Sequence, residues 1–292
     1  MTLADAFPHI TTCREPLAPQ THLKIGGPVD FFVQPRDGEE LRAVLRFCKT
    51  NRVPVRMLGG GYNLLVQDDP IPGAVMRLSG GEFTKIETHG KTVRAAGGAG
   101  LYDLIAHCVT AGLGGLETLV GIRGSVGGSV RCNVGDRTGE IGSRVRRVGV
   151  LHDDGTEHVR TRDELTFGQH KSDLDEPVIL WVDFELATEP TPQLLKRMRR
   201  AWVQRKSTEP LTLQNAVRLF RDPPGQLAAR LIERAGLIRY RIGGAELSDR
   251  NANYAVAHPG TTARDIVKLI AAVQENVKQH CGVELERELN VW

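Results

Sequence analysis

The chain has no paired cysteines, no long apolar run and almost no excess of charge, and each absence removes a class of function. Its five cysteines, Cys13, Cys48, Cys108, Cys132 and Cys281, form no CxxC pair and no Cys/His spacing that holds zinc, so no metal is expected. An odd, scattered set fits reduced thiols in a reducing compartment. No segment approaches the roughly 18 consecutive apolar residues of a membrane helix. The N-terminal MTLADAFPHITTCREPL lacks a basic start followed by an apolar stretch, so no signal peptide is expected and the setting reads as cytoplasmic. The formal net charge is only +3, too small for nucleic acid or a membrane surface as the main partner. The basic run KRMRRAWVQRK (196–206) has one aromatic residue and no recognition motif beside it, and reads as the solvated face of a helix.

What is present suits a soluble protein of two domains. The 292 residues are 40% hydrophobic and 25% charged, enough apolar material for a core in each. Residues 29–35 read as a strand, and 39–50 as an amphipathic helix with Leu41, Val44, Leu45 and Cys48 on one face. Short strands are expected at 54–58, 63–67 and 74–78, a hairpin at 83–96 around His89-Gly90, and a helix at 101–112 ending on Gly112. Strands return at 145–151, 156–161 and 178–187. Helices follow at 192–206, 225–235 and 262–280, the last opening on a capping arrangement of Thr262 and Asp265. Residues 283–291 read as a closing strand of alternating character, on which Glu284, Glu286 and Glu288 share parity.

Two glycine-rich segments carry the chemical signal. LGGGYNLL (58–65) lies between two strands, and its glycines let backbone N–H groups approach an anion such as a pyrophosphate. It does not open a helix in the GxGxxG manner, so a nicotinamide-type Rossmann reading fails, and a tight turn explains it equally well. GIRGSVGGSV (121–130), with four glycines and two serines, is followed by CNVGDRTGEIG (132–142). Either a flat or charged ligand lies against this backbone, or two chain segments cross there.

In order along the chain, THLKIGGP (21–28), LGGGYNLLV (58–66), GIRGSVGG (121–128), NVGDRTGEI (133–141), PPG (223–225), GGAELS (243–248) and GVELEREL (282–289) resemble the UDP-N-acetylenolpyruvoylglucosamine reductases (UDP-N-acetylmuramate dehydrogenases). The resemblance runs from about residue 20 to the C-terminus, and its compact spacing is similar to the shorter class of that family. It implies an α+β chain: a two-lobed FAD-binding domain of the vanillyl-alcohol-oxidase type, followed by a C-terminal α/β substrate lobe. By it, 1–20 is an N-terminal extension, 21–188 the FAD-binding domain with lobes of about 21–80 and 81–188, and 189–292 the substrate-binding domain. Family members make a peptidoglycan precursor in two half-reactions. NADPH reduces FAD, and the reduced flavin then gives hydride to the enolpyruvyl group of a UDP-sugar. The cofactor contacts implied are Gly59, Gly60, Gly61, Tyr62, Asn63, Gly121, Gly124, Ser125, Gly127, Gly128 and Asn133, on a chain expected to act as a monomer.

The catalytic positions depart from the family pattern. In the family, a serine in a Ser-Ala/Cys-Gly-Ser-x-Phe segment supplies the proton. An arginine in a Tyr-Arg-x-Ser segment and a glutamate near the C-terminus support the intermediate. Here the glutamate survives as Glu288, but QNAVRLF (214–220) puts Arg218 at the proton donor's position and Val217 at the glycine before it. GQHKS (168–172) puts His170 where arginine is expected. Arg123 replaces a proline and Tyr62 a serine. Three readings follow: a reductase with exchanged roles, in which Arg218 supplies positive charge and His170 the proton; a non-catalytic flavin-binding or scaffold paralogue; and a flavin oxidoreductase for another acidic substrate drawn by Arg123, Arg131, Arg137 and Arg218.

Overall fold

Helices form where apolar residues recur on one face behind a polar cap. The Asp37 side chain accepts a hydrogen bond from the Glu40 amide, and the helix Gly38–Thr50 then buries Leu41, Val44, Leu45 and Cys48. Thr262 and Asp265 form a full capping box at the start of Ala263–Cys281, which ends on Gly282 in the left-handed region at φ +67°. The computed structural model describes all residues except 137 and 211–214, so Arg137, Leu211 and Gln214 lie outside the described residues.

Two compact units result, and both are discontinuous in sequence. The first comprises Met1–Glu15, Val29–Gly60 and Pro72–Val203; the second comprises Pro16–Pro28, Gly61–Ile71 and Gln204–Trp292. This division differs from a linear one at 20 and 188 for reasons of burial. Leu3 and Ile10 of the expected extension lie in one core with Leu41, Val44 and Met76. Leu23, Ile25 and Leu65 instead join a core with Leu219, Phe220, Leu285 and Leu289. Leu194, early in the helix Thr191–Thr208, is buried with Val109 and Leu116, and Arg197 pairs with buried Glu117 at 2.7 Å.

The first unit has two main sheets. One runs Thr11–Pro16, Pro28–Val33, Ile71–Met76, Val55–Met57, its last pair parallel. The other is antiparallel, in the order Glu157–Thr161, Val145–Leu151, Val178–Glu185, Thr92–Ala96, Ile86–His89. Alternation sends Val93, Ala95, Val148, Val182 and Phe184 into the core with the helix Leu101–Thr110. On the opposite face, buried Asp183 accepts from both Arg94 and Arg147, at 2.7 Å each, which locks the register of three strands.

The second unit is built on an antiparallel sheet ordered Ala216–Arg218, Tyr254–Ala257, Ala245–Leu247, Arg241–Ile242. The helices Ala228–Arg234 and Ala263–Cys281 supply Leu231, Ile232, Ile266, Leu269 and Val273 to the core that buries Val217, Ala255 and Leu247. The expected strand over 283–291 is corrected: only Asn290–Val291 is strand, paired in parallel with Leu64–Leu65. The preceding residues instead bury Leu285 and Leu289 in the helical core. Among the described residues, no helix is long and apolar enough to cross a membrane.

Candidate active site

In the first unit the two glycine segments meet. A Cβ placed on Gly59 would lie 2.5 Å from Ser125 Oγ, so a side chain there would displace that hydroxyl. Ser125 caps the short helix Val126–Arg131, its hydroxyl accepting from the Gly128 amide. Gly59, Gly60 and Gly128 are exposed, leaving backbone open to a flat or charged group. Gly124 takes φ +143°, which a side chain would strain, and its carbonyl accepts from the Leu101 amide. Gly127 serves a different purpose. It is buried, donates to the Gly97 carbonyl at 2.8 Å, and would bring a Cβ within 3.0 Å of that oxygen. The segment is therefore both a chain crossing and an open backbone surface.

The Asn133 side chain is bonded inside the fold. It is fully buried, Nδ2 donates to Glu140 Oε2 (2.7 Å) and the Gly168 carbonyl (2.8 Å), and Oδ1 accepts from the Gly142 amide (2.9 Å). Those bonds use both of its N–H donors and one of its two acceptor positions. They also tether the hairpin Phe167–Gly168/Lys171–Ser172, whose two-residue loop is Gln169-His170. His170 sits half-buried at this tip in the left-handed region, at φ +51°. Asn133→Ala strands one buried donor and two acceptors and is expected to cost about 2–4 kcal/mol in urea unfolding. A loss under about 1 kcal/mol would show that water replaces the amide.

The second unit brings Asn63, Arg218 and Glu288 together. Gly61 takes φ +69° where the chain presses on Gln20 and Thr21, and Tyr62 packs its ring on His22 with centroids 4.8 Å apart. Asn63 Nδ2 donates to the Glu288 carbonyl at 3.3 Å, and the Glu288 amide donates to the Leu219 carbonyl at 2.8 Å. The Glu288 backbone is thus held from both sides. Its side chain is 14% exposed against 81% for Glu284 and 68% for Glu286, so shared parity does not make one charged face.

Arg218 lies between two carboxylates. Its Nε is 3.1 Å from Glu288 Oε2 and its Nη2 2.9 Å from Asp222 Oδ2, while Asp222 Oδ1 accepts from the Ala228 amide. Burial alone would weaken this cation, but Glu288 and Asp222 outweigh it and hold the guanidinium pKa above its ordinary value. Across the strand pair, Tyr254 is in register with Arg218, and its hydroxyl donates to Glu209 Oε2 at 2.9 Å. Glu209 Oε1 in turn pairs with Arg205 Nη1 at 3.0 Å. The sequence reading missed Tyr254, Glu209 and Asp222: the register of two distant strands brings Tyr254 to Arg218, whereas Asp222 and Glu209 lie four residues after the arginines they pair with. His170 belongs to the first unit, Arg218 and Glu288 to the second.

Comparison with known proteins agrees with this architecture. Residues 29–160 match the FAD binding domain family, and residues 209–292 match the C-terminal domain of UDP-N-acetylenolpyruvoylglucosamine reductase. The UDP-N-acetylenolpyruvoylglucosamine reductase of Moorella thermoacetica is 37% identical over 279 residues, covering 95% of this chain and 92% of that protein. The enzyme of that name from Listeria monocytogenes is 35% identical over 292 residues, 99% of this chain and 97% of its own length. The crystal structure of UDP-N-acetylenolpyruvylglucosamine reductase from Thermus caldophilus matches with a TM-score of 0.83 at 35% identity, over 97% of this chain and 98% of that one. At 35–37% identity over nearly its whole length, this chain belongs to the UDP-N-acetylenolpyruvoylglucosamine reductase family.

Proposed function

We propose that the chain reduces UDP-N-acetylenolpyruvoylglucosamine to UDP-N-acetylmuramate with FAD and NADPH, as a cytoplasmic monomer serving peptidoglycan precursor synthesis. The observation that carries this reading is Glu288, pinned through its backbone by Asn63 and Leu219 and paired with Arg218 at 3.1 Å. FAD, when bound, supplies hydride transfer. The exposed backbone at Gly59, Gly60 and Gly128, with Gly121, Gly124 and Ser125, suits a group lying flat on the chain, and Gly61, Tyr62 and Asn63 continue that segment. Gly127 and Asn133 shape it from within.

Charge then develops toward the substrate carboxylate, and preorganised donors stabilise it. In this reading Arg218 offsets that charge, and Glu288 and Asp222 hold its guanidinium in place. One observation favours a second reading, a non-catalytic flavin-binding paralogue: Arg218 already has two carboxylate partners. Anaerobic half-reactions separate the two. The purified protein is expected to be yellow and to release FAD on denaturation. NADPH should bleach it, and UDP-N-acetylenolpyruvoylglucosamine should restore the colour. Bleaching without restoration supports the paralogue, and a protein that stays colourless with added FAD sinks both readings.

A further inference from the structure

Adding hydride to one carbon of an alkene requires a proton for the other, hence a positioned acid. Arg218 is a poor one, since a guanidinium releases its proton only above about pH 12. Glu288 and Asp222 hold that proton more firmly still. The sheet of the second unit offers another group. Strand alternation buries Val217, Ala255 and Ala257 against the helices and turns Arg218, Tyr254 and Val256 to the opposite face. Tyr254 is the direct cross-strand partner of Arg218, at the spacing where side chains on one face meet. Its hydroxyl is held at 2.9 Å by Glu209, which Arg205 fixes in turn.

We infer that Tyr254 donates the proton when the enolpyruvyl group is reduced, with Glu209 orienting its hydroxyl and Arg218 facing the phenolate that forms. This rests on the proposed reduction. The Tyr254 O–H bond breaks as a C–H bond forms from the alkene π pair. The O–H electron pair stays on the phenolate oxygen, and solvent water returns the proton. NADPH provides the hydride, so no further reductant is consumed. Burial keeps the phenol protonated well above its ordinary range, reinforced by Glu209 and Glu288 and opposed by Arg218. The phenol is therefore protonated at rest; the same shift makes it a reluctant acid, so the step depends on the Arg218 guanidinium, which opposes the shift, to stabilise the phenolate that forms. At rest the proton lies in the bond to Glu209, and rotation about the C–O bond frees it without moving the ring. The role assigned to His170 on sequence grounds passes to a residue on the same sheet face as Arg218.

Tyr254→Phe in the flavin-loaded protein removes only the hydroxyl. Anaerobic reoxidation by UDP-N-acetylenolpyruvoylglucosamine is expected to slow by about a hundredfold or more. NADPH bleaching and calorimetric binding of UDP-N-acetylmuramate should stay as in the unmodified protein, which separates a lost acid from a damaged fold. Reoxidation at the original rate overturns the assignment. So does a comparable loss in His170→Ala with Tyr254→Phe unaffected, which returns the proton to the histidine. If the unmodified protein binds FAD and is bleached but never reoxidised, the proposed reaction itself fails, and this role with it.

Discussion

Glutamine at Glu288 is expected to slow anaerobic reoxidation by UDP-N-acetylenolpyruvoylglucosamine on the order of a hundred- to a thousandfold, with NADPH bleaching little changed. The backbone at this position is fixed independently of the side chain, by the Leu219 carbonyl and by Asn63. Glutamine has nearly the same shape, so the substitution removes charge and leaves those backbone hydrogen bonds. Arg218 then keeps Asp222 as its carboxylate partner and is free to swing toward it, away from the position set by the 3.1 Å contact with Glu288. A guanidinium displaced by even an ångström loses much of its value to a developing charge. Stopped-flow absorbance in the two half-reactions measures this directly. A rise in the substrate concentration needed, with no fall in the limiting rate, would assign Glu288 to binding alone. An unchanged reaction would make it merely the structural counter-ion of Arg218.

The parts of the fold legible in the sequence are those whose signals are local. The helices Gly38–Thr50 and Ala263–Cys281 announce themselves through cap residues and apolar spacing, because both depend on neighbours within one or two turns. The alternation of 283–291 misleads for the complementary reason. Period two also results when Leu285 and Leu289 are drawn into a helical core while Glu284 and Glu286 stay in water. Glu288 is turned toward Arg218, a residue distant in sequence, which no count along the chain reveals. Leu23, Ile25 and Leu65 show the same limit at a larger scale. They read as belonging to the N-terminal lobe but join the core of the second unit. Asn133 sits in a segment with ligand-binding character, yet its three side-chain hydrogen bonds are internal. The glycine segments were legible as special backbone; that Gly59 touches Ser125 while Gly127 touches Gly97 is tertiary information.

Restoring the family pattern with Val217→Gly and Arg218→Ser together is expected to destabilise the second unit by about 4–5 kcal/mol and to leave reoxidation no faster than before. Val217 is only 3% exposed and packs in the helical core opposite the site. Emptying that space and placing glycine in a strand costs about 3 kcal/mol. Arg218→Ser separately leaves Glu288 and Asp222 as neighbouring carboxylates with no cation between them. Asp222 is partly open to solvent at 23%, but the Glu288 Oε2 that faces Arg218 is buried, so this adds roughly 2 kcal/mol. The residues are adjacent, so the sum is not strictly additive. Against a total stability of about 5–15 kcal/mol, such a loss lowers the urea midpoint severely. The physical point is that Val217 and Arg218 are now integrated on both faces of their strand: one fills the core, and the other neutralises two acids. A serine set between those acids also lacks the cation that stabilises a departing proton's oxygen, so its return brings no function. A double variant that folds normally and reoxidises faster than the parent would show the reverse, that the present centre is a degraded copy of the family site and that Tyr254 has taken over nothing.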